Sequence, residues 1–244
     1  MVVLEGVSAQ LGGREVLREV DLVLPTGVTA LVGRNGAGKT TLMRVLTGAL
    51  KPTAGVVRVN GHDIHGMSAA MRAHRQGLGW QPQEPRLPPR MRVSRFLEYA
   101  AWLKRLSPSE GQGAVDTALA AVDLSDLRDR RLGVLSGGQR RRAALAAAIV
   151  GDPTLLLLDE PTLGLDPIQR SHFLGVVRKL APDRSIVLAT HLMEDVELAS
   201  DRWVVIDGGR IVAARDVDRS SPAALSSTAD DVREALGVDS RSGL

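Results

Sequence analysis

There is no cysteine in these 244 residues. A disulfide framework, a thiolate zinc site and a cysteine nucleophile are therefore excluded, and the composition suits a reducing cytosol. Aromatic residues are almost as scarce, at two Phe, one Tyr and three Trp. Aliphatic side chains must then fill the core, which a chain of this length is large enough to build as one domain. Lysine occurs only at Lys39, Lys51, Lys104 and Lys179, and arginine supplies the rest of the positive charge. The net charge of +3 is no signature of a nucleic-acid partner. No segment approaches the roughly 20 consecutive apolar residues that span a bilayer. Residues 1–4 lead into Glu5 and a polar turn, where a signal peptide would carry an apolar stretch. The expectation is a cytoplasmic chain.

What is present is concentrated in a few short runs. Gly33, Arg34, Asn35, Gly36, Ala37, Gly38, Lys39, Thr40 and Thr41 satisfy G-x-x-x-x-G-K-[ST]. Glycines there let successive backbone N–H groups converge on phosphates where a Cβ would block them. Lys39 can reach the β- and γ-phosphates, and the Thr40 hydroxyl can ligate Mg²⁺. The β-branched run 28–32 reads as a buried strand before the loop, and 41–50 as a helix after it. The phosphates of a nucleoside triphosphate would lie at that helix N-terminus. Strand and helix together argue against a chance glycine turn, but they leave ATPase, kinase and GTPase open.

Four leucines, Leu155 to Leu158, then run into Asp159 and Glu160. The run predicts a strand buried on both faces, with its carboxylates at the end where open α/β sheets bind ligands. Asp159 is placed to hold Mg²⁺, and Glu160 to polarise an attacking water. A turn-capping acidic pair is the plainer alternative, and the phosphate loop upstream weakens it.

Between these runs stands Leu135-Ser136-Gly137-Gly138-Gln139. With it, the chain resembles the nucleotide-binding subunit of an ABC transporter over about residues 2–215, nearly its whole length. The resemblance implies an α/β P-loop fold with a mixed, largely parallel sheet, an antiparallel β subdomain and a helical insertion. It implies ATP and Mg²⁺ as cofactors, and ATP hydrolysis. It also implies a second ATP-binding subunit, in a homodimer, whose Ser136, Gly137, Gly138 and Gln139 close over the γ-phosphate held by the first. Those residues open a predicted helix over 137–150, whose N-terminal N–H groups suit an anion. Arg140, Arg141 and Arg142 fall in its first turn, where cations oppose the macrodipole. A bound triphosphate would relieve that conflict, and a solvated basic helix start is the plainer reading.

The same resemblance assigns further positions. Gln83 matches the Q-loop glutamine, linking the Mg²⁺ and water site to the insertion, with Gln81 as its near competitor. Gly164, Leu165 and Asp166 match the D-loop. His191, after the apolar strand 186–190, matches the switch histidine that would contact the γ-phosphate and help hold Glu160. Where the family places an aromatic residue against adenine, Leu11 stands instead, giving apolar contact without stacking. The expectation is weak base selectivity, with GTP used nearly as well as ATP. His62 and His65 read as hairpin-loop residues and not as a metal site.

The ATPase domain is expected over residues 1–215, with an antiparallel sheet from 2–27 and 55–64. A helical insertion is expected at about 84–134, with helices at 93–106 and 113–122 behind a proline-rich joint at 82–89. In the family such an insertion receives a helix from a separate transmembrane permease. Arg86, Leu87, Met91 and Phe96 are candidates for lining that groove, with packing inside the insertion as the alternative. Residues 216–244 read as a short polar tail with one helix at 230–236. The wording around residues 92–99 and 190–197 is similar to the bacterial branch that exports drugs and antibiotics. The chain would then sit on the inner face of the cell membrane and power transport. A non-transport ABC ATPase acting on DNA or ribosomes is the rival reading, and the lack of long heptads, zinc cysteines and a second cassette opposes it.

Overall fold

The computed structural model describes residues 1–219 and 221–237. In chain order the elements are β1 (Val2–Leu11), β2 (Arg14–Leu24), β3 (Gly27–Val32), α1 (Lys39–Leu46), β4 (Ala54–Val59), β5 (His62–Asp63), α2 (Ser68–Gln76) and β6 (Leu78–Gln81). Then come α3 (Val93–Leu103), α4 (Pro108–Ala121), α5 (Gly137–Ile149), β7 (Leu155–Asp159), α6 (Pro167–Leu180) and β8 (Ser185–Thr190). Among the described residues the last elements are α7 (Met193–Ala199), β9 (Arg202–Asp207), β10 (Arg210–Asp216) and α8 (Pro222–Ala235).

Two sheets organise these elements. Strands β2, β1, β4 and β5 form an antiparallel sheet in that order. The second sheet has six strands in the order β10-β9-β3-β8-β7-β6. All its pairings are parallel except that of β10 with β9. The four leucines of β7 are each no more than 1% exposed, as expected of a strand covered by other elements on both faces. Side chains alternate across a strand, so β7 and β8 feed two separate cores. Leu155, Leu157, Val187 and Ala189 join α1 and the antiparallel sheet, whereas Leu156, Leu158, Ile186 and Leu188 join α3, α4, α5 and α6. Both cores are almost wholly aliphatic. Phe173, 1% exposed, is the large aromatic exception; Trp203, also 1% exposed, packs in a third cluster with Ala30, Val32, Val196 and Val205.

Several elements depart from the sequence expectation. Helix α4 starts five residues before the expected 113, because Ser107 and Glu110 form a capping box and Pro108 occupies the first turn. Helix α3 stops at Leu103, and Arg105 beyond it takes a left-handed φ of 65°. Helix α8 begins at Pro222 and not at 230. The expected terminal tail falls partly outside the described residues. Strand β6, helix α2 and edge strand β10 carry too short or too polar a pattern to have been expected. Residues 82–89 form neither helix nor strand. Leu87, Met91 and Phe96 pack half-buried against the insertion's own core, while Arg86 is exposed. The apolar surface of α3 is instead Tyr99, Trp102 and Leu103, with the first two rings stacked 5.9 Å apart.

Candidate functional site

The segment between β3 and α1 builds a cradle. Gly36 and Gly38 hold φ of 83° and 114°, values that suit glycine and strain other residues. A Cβ on Gly36 would meet nothing within 4 Å, whereas one on Gly38 would approach Leu17 at 3.0 Å. The first is open toward the cleft and the second is packed from behind. Lys39 opens α1 and is buried, with its Nζ donating to the carbonyls of Gly33 at 2.6 Å and Arg34 at 3.3 Å. The amine is thereby curled over the loop, on the side where phosphates would enter.

The carboxylates at the end of β7 meet this cradle. Asp159 is 2% exposed and lies beside the Thr40 hydroxyl. Burial pushes the Asp159 carboxyl above its ordinary range, the neighbouring Thr40 hydroxyl opposes this, and the Glu160 charge pushes it further up. Glu160 has a left-handed φ of 45° and donates its N–H to the Ala189 carbonyl at 2.9 Å. That conformation turns its side chain back into the cleft. One carboxylate oxygen lies 3.6 Å from Lys39 Nζ and the other 3.1 Å from His191 Nδ1. A cleft of about 450 Å³ results, lined by Asn35, Gly36, Gly38, Lys39, Thr40, Thr41, Gln83 and Glu160. Leu11, Val16 and Arg34 form its outer wall. Gly33 and Ala37 are buried within the loop. Gln83 is exposed and reaches this cleft, whereas Gln81 is fully buried in β6. Burial therefore separates the two glutamines.

The serine-glycine run lies elsewhere. Ser136, Gly137, Gly138 and Gln139 contribute nothing to the lining of that cleft. Ser136 caps α5 by accepting the Gln139 N–H at 3.2 Å, and Gln139 Oε1 accepts the Ser136 N–H at 2.9 Å. The capping box uses the Ser136 and Gln139 donors, leaving Gly137 and Gly138 as the orphan N–H groups of the first turn. Space beside Gly137 is open, while Gly138 faces Gln169. The three arginines that follow resolve the conflict with the helix dipole through carbonyl oxygens. Arg140 donates to Leu135 O, and Arg142 to Val122 O and Asp123 O. Arg141 donates to Gln83 O and Leu163 O, joining the glutamine loop to the turn after Glu160. Its anchoring role was missed in the sequence, where only its charge was legible. A second cavity of about 360 Å³ lies at that junction, between Pro85, Leu87, Gly137, Arg141 and Gly164. Asp166 caps α6 by accepting the Gln169 N–H at 2.8 Å. His65, away from both cavities, bonds the Val45 carbonyl through Nε2.

The sequence model of a family described as ABC transporter matches residues 17–163, more than half of the chain. The chain belongs to the ABC transporter family. It is an ABC ATPase domain, and it is 35% identical over 219 residues to the daunorubicin resistance ATP-binding protein DrrA3 of Streptomyces coeruleorubidus. That match covers 89% of this chain and 68% of DrrA3. The ABC domain is also 39% identical over 184 residues to the human retinal-specific phospholipid-transporting ATPase ABCA4, covering 75% of this chain and 8% of that much longer protein. Among solved structures it is similar to CbiO1 of Clostridium perfringens, described as part of the ABC transporter complex cbiONQ. The two share 28% identity and a TM-score of 0.83 over 96% of this chain and 93% of the other. Among the described residues no helix is long and apolar enough to cross a membrane.

Proposed function

We propose that this ABC domain is the ATP-hydrolysing subunit of an exporter, and that it drives cargo through a separate transmembrane permease from the inner face of the membrane. The observation that carries the chemistry is the chain of contacts from Lys39 through Glu160 to His191, at 3.6 and 3.1 Å. Carboxylate, amine and imidazole thus converge on the mouth of a phosphate cradle. The likeness to the resistance protein DrrA3 supports the direction of transport.

In this reading the loop N–H groups of residues 33–39 and the start of α1 bind the β- and γ-phosphates of ATP. Lys39, held on the Gly33 carbonyl, exchanges that contact for phosphate oxygens. Glu160 accepts a proton from the attacking water, and His191 holds the carboxylate and contacts the γ-phosphate. Thr40, Asp159 and Gln83 offer the hard oxygen donors that Mg²⁺ prefers, and Thr40 lies close enough to Asp159 to lower its carboxyl's pKa. Mg²⁺ bound there would supply neutralisation of phosphate charge. A second copy would cover the cleft with its Ser136, Gly137, Gly138 and Gln139, because the same chain's run does not reach it. Closure excludes water and completes the charge clamp. Reopening after hydrolysis would reach the permease through Gln83 and the insertion.

The test is Glu160→Gln. ATP binding should persist, steady-state turnover should fall by about 10²-fold or more, and an ATP-dependent dimer should accumulate in light scattering. Turnover at the parental rate would sink the assignment. Copurification of a polytopic membrane protein would test the transport partner, and recovery of DNA or ribosomes in its place would overturn it.

A further inference from the structure

Behind the cleft, the two turns that carry Glu160 and His191 are tied together by a residue to which no role was assigned above. Asp195, on α7, is fully buried. Its Oδ2 accepts two hydrogen bonds of 2.6 Å, from the hydroxyls of Thr162 and Thr190. Thr162 lies two residues past Glu160, and Thr190 immediately precedes His191. The Thr190 oxygen also accepts the Leu192 N–H at 3.0 Å, so its single proton is committed to Asp195. Thr162 is central to its own turn, because its carbonyl accepts the Leu165 N–H at 3.1 Å. From the third side, Arg170 Nε on α6 stands 3.9 Å from Asp195 Oδ1.

This tie has something to hold. The left-handed φ of 45° at Glu160 is a conformation that a residue with a Cβ adopts only when its surroundings impose it. The backbone bond from Glu160 N–H to Ala189 O is one restraint on the turn. The Thr162–Asp195–Thr190 bridge is a second, reaching the same two turns. A buried carboxylate is a costly way to fill space that an apolar side chain could occupy, unless its bonds are needed.

We propose that Asp195 is a positioning residue for hydrolysis, setting the distance between Glu160 and His191 through the hydroxyls of Thr162 and Thr190. The inference rests on the hydrolytic reading of Glu160 given above. It is tested by ATPase kinetics, nucleotide affinity and thermal unfolding of Asp195→Ala, Asp195→Asn and the Thr162→Val/Thr190→Val pair, with Glu160→Gln as reference. Asp195→Ala should lower kcat by about tenfold or more, since a small misplacement of reacting groups is that expensive, and leave ATP affinity unchanged. Asp195→Asn keeps an oxygen able to accept both hydroxyls and should recover most of the turnover. The threonine pair should match Asp195→Ala, and combining all three substitutions should cost no more than either alone.

Parental kcat in folded Asp195→Ala would overturn the proposal. So would a loss that tracks the unfolded fraction, or an active threonine pair beside an inactive Asp195→Ala. If Asp195→Ala does not fold, Thr190→Val alone decides: parental kcat overturns the proposal, and reduced kcat at unchanged ATP affinity supports it. Glu160→Gln separates the two levels. An inert Glu160→Gln beside an unaffected Asp195→Ala removes only the role of Asp195, whereas an active Glu160→Gln removes the hydrolytic reading itself.

Discussion

Leu11 ends β1 on the outer wall of the cleft, 45% exposed and beside Val16. A side chain there offers a nucleotide base apolar contact but no π face. Leu11→Tyr should therefore tighten both ATP and GTP by about tenfold, because stacking on an aromatic face is worth roughly 1–3 kcal/mol and does not discriminate bases. Nucleotide titration checks this, and unchanged affinities would mean that the base does not lie against Leu11. Motif spacing marked Lys39, Thr40, Asp159 and Glu160, and the family resemblance marked Gln83; these five gather at or beside one cleft because strand ends and loops of a parallel sheet converge there. Arg141 and Asp195 were not legible in the same way. Most of their partners, such as Gln83 O and Thr162 Oγ1, are loop carbonyls and hydroxyls far away in sequence. No local pattern encodes such a partner, so a charge next to a known motif is easily misread as facing a ligand.

Helix α1 carries the phosphate loop at its start, and its other end is held by two histidines. His65 bonds the Val45 carbonyl at 3.1 Å and His74 the Leu46 carbonyl at 2.7 Å, both through Nε2. Burial lowers the pKa of each below the ordinary 6.5, more than the carbonyl bonds raise it. The unfolded chain then takes up protons near pH 6.5 before the folded one does, so this contribution to stability is present above pH 6.5 and is lost as pH falls below it. The buried Asp159 and Asp195, raised above 3.8, act with the opposite sign. The expected outcome is that a His65→Gln/His74→Gln variant loses less Tm than the parent between pH 7 and the acid side of 6.5. Parallel Tm curves would contradict it. The strong elements were readable from pattern, as the leucines of β7 and the apolar 186–190 of β8 show. Helix starts were readable in principle, since Ser107-Pro108-Ser109-Glu110 spells out the α4 capping box. Four-residue β6 and polar-faced β10 were not, because an edge strand takes its stability from its neighbour and shows little periodicity of its own.

At the scale of the whole molecule, the six-stranded sheet divides the interior into the side that holds α1 and the side that holds α3 to α6. The phosphate loop belongs to the first core and the insertion to the second. Besides the sheet, they are joined by individual contacts such as Arg141 on the glutamine loop and the Lys104 amine on the carbonyls of Arg75 and Leu78. Leu157→Ala and Leu158→Ala should each cost about 2–5 kcal/mol by leaving a cavity, yet on different sides. Hydrogen–deuterium exchange should quicken on α1 in the first variant and on α3 and α5 in the second. Faster exchange in the same helices for both would remove the division. Two leucines joined by a single peptide bond stand in different neighbourhoods, so a lineage could retune the packing beneath the phosphate loop without disturbing the packing of the helical insertion, one strand position at a time.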